Sequence, residues 1–109
     1  MLSLDLIDIV RACRRSRIKT RIFAALVDAE MLLVGELADA AATSPGRVQA
    51  AMFGDGDEFS FESALVSLGV TRVRRTPRGL AFEITHVGRA AWPHVQARTP
   101  RGRRPARPG

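Results

Sequence analysis

A chain of 109 residues and 11.9 kDa suffices for one domain with one modest core. Its 46% hydrophobic and 26% charged residues make a globular composition, no apolar run nears the ~18 residues of a membrane span, and a single cysteine, Cys13, excludes a disulfide framework and an all-cysteine zinc site. Lysine and arginine total 17 against 11 acids, for a net charge of +6 and a pI near 11.4; every cation but Lys19 is arginine, which binds phosphate bidentately and stays charged at any working pH.

Leu4, Ile7, Val10 and Cys13 recur at helical spacing and predict a first helix over residues 4–14. The residues before it lack the basic region and long apolar run of a secretory signal, so a cytoplasmic protein is expected. Ser16 can cap a second helix, whose stripe is Ile18, Ile22, Phe23, Leu26 and Val27 and whose outward face carries Arg17, Lys19 and Arg21. A short third helix fits residues 35–42, with Leu37, Ala38 and Ala41 inward. Ser44 as cap and Pro45 at the first helical position then begin a fourth over about 45–53, with Val48, Ala51 and Met52 inward and Arg47, Gln49 and Ala50 outward. Two short helices joined by a tight turn make a helix-turn-helix, whose second member enters the major groove in DNA-binding versions.

Gly54-Asp55-Gly56-Asp57 breaks the fourth helix, and residues 61–68 suggest a further helical turn stopped by Gly69. Residues 70–75 and 80–84 alternate apolar and polar as strands do, joined through Thr76-Pro77-Arg78-Gly79 as a type I turn. Thr85 caps a final helix over roughly 86–92, which Pro93 is expected to kink or end. The fold class expected is mostly α with a small β-hairpin, a winged helix-turn-helix over residues 1–97. The segment 98–109, with five arginines, three prolines and no acid, reads as a disordered basic tail.

The charges are segregated. Residues 9–27 hold six cations and no acid, residues 22–69 hold eight acids against Arg47 alone, and residues 70–89 return to five arginines against Glu83. Such a chain should carry one positive and one negative face.

Three strings carry a family resemblance. Arg14-Arg-Ser-Arg-Ile-Lys-Thr-Arg21 before an apolar helix resembles the opening of many archaeal winged-helix transcriptional regulators. Ser63-Ala-Leu-Val-Ser-Leu-Gly-Val70 resembles the stretch before their wing, and Ile84-Thr-His-Val-Gly-Arg-Ala90 the start of the helix after it. Over about residues 10–92 the chain resembles small single-domain archaeal regulators of the ArsR-like class, which include regulators of archaellum operons. It departs between Met52 and Ser63, where the sequence is acidic and Phe-containing and such regulators often carry basic residues. That departure argues against DNA contact from this stretch.

The resemblance implies a docking geometry on double-stranded DNA. Ser44, Arg47, Gln49 and Ala50 would face base edges or nearby phosphates, with Gln suited to adenine and Arg to guanine. A salt bridge from Arg47 to Asp39 or a neighbouring acid is the competing reading. Arg15, Arg17, Lys19 and Arg21 would contact phosphate at the helix N-terminus after Ser16, or else form a solvated face. Arg74, Arg75 and Arg78 would reach the minor groove or its rims from the hairpin, or stand as exposed charges without a partner.

Catalytic and cofactor signatures are absent: there is no Gly-x-Ser-x-Gly, no phosphate-cradling loop and no His-Glu-x-x-His, and Cys13, His86 and His94 are too scattered for a metal site. The expectation is a non-enzymatic transcriptional regulator without cofactor, metal, membrane or small-molecule substrate. Leu2, Leu4, Ile7 and Trp92 nominate the first and last helices for a homodimer contact, with a purely internal packing role as the alternative. Two other functions fit the same sequence: a non-specific architectural or RNA-associated protein, and a protein-interaction module.

Overall fold

The computed structural model describes residues 4–98, which form five helices and one three-stranded sheet. In chain order these are α1 (Leu4–Arg14), α2 (Arg17–Ala29), β1 (Met31–Leu33), α3 (Val34–Ala40), α4 (Pro45–Phe53), β2 (Thr71–Thr76), β3 (Gly79–Ile84) and α5 (His86–Arg98). Leu2 and the basic tail, apart from the Arg98 that ends α5, lie outside the described residues.

Hydroxyl caps start three of the helices where the sequence places them. Ser16 Oγ accepts from the Lys19 amide at 3.2 Å, Ser44 Oγ from the Arg47 amide at 3.3 Å, and Thr85 Oγ1 from the Gly88 amide at 2.9 Å. Helix α3 uses the reverse device, with Glu36 reaching back to the Leu33 N–H at 2.8 Å. It ends in a Schellman turn: the Thr43 N–H bonds the Ala38 carbonyl, the Ala42 N–H bonds that of Asp39, and Ala42 takes φ +56°. This turn joins α3 to α4.

The apolar face of α1 is shared only in part with the 4/7/10/13 stripe: Val10 and Cys13 turn inward together with Leu6 and Ile9, while Ile7 is 38% exposed, because the helix packs against both α2 and α5 and presents its 6/9/10/13 edge to them. The core beneath is formed by Phe23, Leu26, Leu37, Val48, Met52, Leu65 and Phe82 with Val95 from α5.

Strand β3 is central, with β2 antiparallel on one side and β1 antiparallel on the other, so Phe82 faces Val73 across one ladder and Leu32 across the other. The hairpin is thus widened by β1, a strand of three residues too short to show alternation in sequence. Neither Pro77 nor Arg78 has positive φ and Gly79 sits at +120°, which suits the expected type I turn.

Two of the strings singled out in the sequence have structural explanations. The Leu65 and Val66 amides bond the Ala51 and Met52 carbonyls at the end of α4, and Gly69, at φ +79°, turns the chain into β2. Residues 61–68 form successive turns and no helix, since amides in their middle bond back to α4. In Thr85-His-Val-Gly-Arg89, the Thr85 hydroxyl also reaches the Gly69 and Val70 carbonyls, while a Cβ on Gly88 would stand 2.4 Å from the Val70 oxygen. Arg89 pairs with Glu30 at 3.4 Å. Pro93 does not end α5. It lies on the exposed face, and burial of Ala91 and Val95 with the Trp92 ring packed at a tilt, 5.0 Å from that of Phe23, holds the helix through Arg98.

Candidate nucleic-acid interface

Helix α4 exposes Pro45, Gly46, Gln49 and Phe53 along one strip. Beyond its chain neighbours and the backbone of its own helix, Gly46 has no atom closer than 4.0 Å to where its Cβ would stand, so the first turn of α4 is bare and its N–H end approachable. Ser44 holds that end in place as the cap.

Arg47 and Gln49 do not face the same way. Gln49 lies with Pro45 and Thr43 along a groove of about 680 Å³ whose far wall is the hairpin, at Arg78 and Leu80. Arg47 turns to the opposite flank, where its Nη1 and Nη2 donate to the two oxygens of Glu58 at 3.0 and 2.8 Å. The competing salt-bridge reading therefore describes its resting geometry, with Glu58 rather than Asp39 as the acid. That carboxylate holds the guanidinium pKa above its ordinary value, and the pair is exposed on both sides.

Lys19 is corrected outright. It stands 4% exposed, not on the outward face of α2. Its Nζ donates to the Ser63 carbonyl at 2.9 Å and to Ser63 Oγ at 3.0 Å, and lies 5.5 Å from the Phe59 ring centroid. Burial pushes the ammonium pKa below the usual lysine value. As the third residue of a helix whose apolar stripe begins at Ile18, it sits at the inner border and reaches the polar atoms of the 59–63 loop.

The remaining cations divide by whether an acid neutralises them. The ion pairs among the described residues join Arg47 to Glu58, Arg72 and Arg74 to Glu83 (2.9 and 3.5 Å) and Arg89 to Glu30. Arg72 and the charge of both arginines hold the Glu83 carboxyl below its usual pKa. Arg74 is thus partly compensated on the hairpin. Arg15, Arg17, Arg75 and Arg78 are exposed and form no ion pair among the described residues, and the same holds for Arg11 and Arg14, to which the sequence alone gave no role. Arg21 is exposed and donates at 3.4 Å to the Ala41 carbonyl, which places it at the turn that introduces α4.

Arg11, Arg15, Arg17 and Arg47 line a second groove, of about 650 Å³, together with the acids Asp8, Asp57, Glu58 and Glu62. Sequence reasoning assigned no role to Glu58 or Phe59. Their signal was present in a phenylalanine directly following three acids and a two-glycine turn.

A family model described as EarA-like matches residues 9–95. No curated protein and no solved structure matches the chain.

Proposed function

The chain belongs to the EarA-like family, and we propose that it is a winged-helix protein that binds double-stranded DNA as a small transcriptional regulator, without catalytic activity. In this reading α3 and α4 are the helix-turn-helix, β2 and β3 the wing, and α4 enters the major groove by its bare first turn. The observation that carries it is the placing of uncompensated arginines around α4. Arg21 stands at its entry turn, Arg15 and Arg17 at the corner between α1 and α2, and Arg75 and Arg78 at the hairpin end across from Gln49. An arginine left without an acid costs nothing in water and gains most on a phosphate. Gln49 is the base-reading candidate, Arg47 becomes one when it leaves Glu58, and a two-fold dimer through α1 or α5 would give an inverted repeat as target.

Anisotropy of a labelled duplex titrated with protein over a range of salt tests this. Binding should weaken steeply with salt, and Arg75→Ala with Arg78→Ala should lower the log–log slope by about 0.9 for each phosphate no longer engaged. Absence of salt-dependent binding would overturn the proposal. The exposed Phe53 and Phe61, beside acidic residues, would then favour the second reading, a protein-interaction module.

A further inference from the structure

The acidic loop beside α4 is a constructed element. Gly54 and Gly56 take φ +87° and +78°, and a side chain at Gly54 would stand 2.7 Å from the Phe61 Cα. Asp55 Oδ1 accepts from the Asp57 and Phe59 amides at 2.9 and 3.0 Å, while the Asp55 and Gly56 amides return bonds to the Phe59 carbonyl. Phe59 is itself pinned, with Lys19 Nζ and the Arg47 guanidinium carbon each 5.5 Å from its ring centroid. Glu58 stands between these two anchors, so its carboxylate is held where Arg47 finds it and little chain entropy is lost in pairing.

We propose that Glu58 is an intramolecular competitor of DNA for Arg47. The inference rests on the duplex-binding reading above and adds the regulation of that site. A carboxylate offers the guanidinium fork two coplanar acceptors, as a guanine edge or a phosphate does, so the fork is already satisfied when the protein is free. DNA gains from Arg47 only after displacing Glu58. The pair therefore lowers duplex affinity, most for sequences that use Arg47 most, and it gives any partner that draws the acidic loop away a means of raising that affinity. Asp57 and Glu62 line the same groove without bonding Arg47, so their effect on DNA is general repulsion alone.

The test is a titration of a fluorescein-labelled mixed-sequence duplex with the full chain and four variants, Glu58→Gln and Glu62→Gln, each alone and each combined with Arg47→Ala. Glu58→Gln keeps the volume of an exposed side chain and removes its charge; Glu62→Gln removes an equal charge from the same loop. Glu58→Gln should tighten binding by about 1.4-fold to fivefold beyond Glu62→Gln, the range set by exposed ion pairs. Combined with Arg47→Ala, that excess should vanish, because the competitor then has nothing to hold. Equal tightening by Glu58→Gln and Glu62→Gln, or an excess that survives Arg47→Ala, would overturn the competition while leaving duplex binding intact. Failure of every form to bind duplex would overturn both readings.

Discussion

Cys13 makes the fold's alkaline stability measurable at one atom. The thiol is 2% exposed on the inward edge of α1, and burial pushes its pKa from the ordinary 9.0 up to about 12, with the Lys19 charge opposing. Between those values the native state keeps a proton that the unfolded chain has lost, so stability falls as pH rises through this window and is unaffected below it. At about 1.36 kcal/mol per unit, the deficit about two units above the ordinary thiol value, near pH ~11, is about 2.7 kcal/mol. Lys19 works in the opposite direction on proton count, because its lowered pKa lets the native state shed a proton that the unfolded chain still holds. The comparison of wild type with Cys13→Ala removes that contribution. Urea unfolding can be followed by Trp92, the only tryptophan, which loses its packing on Phe23 when the chain unfolds. Cys13→Ala should be less stable at neutral pH by on the order of 1 kcal/mol and should overtake the wild type by about pH 11. Parallel stability curves for the two proteins from about pH 7 to about pH 11 would refute the buried placement of the thiol.

Gly88→Ala should destabilise by about 1–3 kcal/mol in chemical denaturation, because its Cβ would meet the Val70 backbone oxygen at 2.4 Å and α5 must shift away; an unchanged midpoint would show that α5 does not pack so closely. Ala42→Gly should stabilise by on the order of 0.5 kcal/mol, since the position sits at φ +56° in the turn after α3. A loss of stability in thermal unfolding would place Ala42 outside the left-handed region. Lys19→Met should leave the salt slope of duplex binding unchanged, because the ammonium is turned onto Ser63; a slope lower by about 0.9 would return Lys19 to the DNA-facing surface.

The helix starts were legible because Ser16, Ser44 and Thr85 precede apolar stripes and a hydroxyl in that place has one strong use, confirmed at all three caps. The hairpin was legible from alternation around Pro77 and Gly79. What escaped depends on interactions made far along the chain. Strand β1 exists because β3 offers it an edge, and three residues carry no period of their own. The facing edge of α1 was set by α2 and α5, and Pro93 was overruled by the packing of Ala91, Trp92 and Val95. At the candidate site, residue type pointed to the arginines but not to their neutralisation. Lys19 and Ser63 are 44 positions apart, and Arg47 meets Glu58 only because a glycine turn folds the loop back beside α4.

Selection of random duplexes on the purified protein, repeated at two salt concentrations, bears most directly on the proposed function. Enrichment of an inverted repeat, sharper at the higher salt where phosphate binding is weakened, is the expected result. Equal retention of all sequences would contradict a sequence-specific regulator, and retention of none at either salt would contradict DNA binding itself.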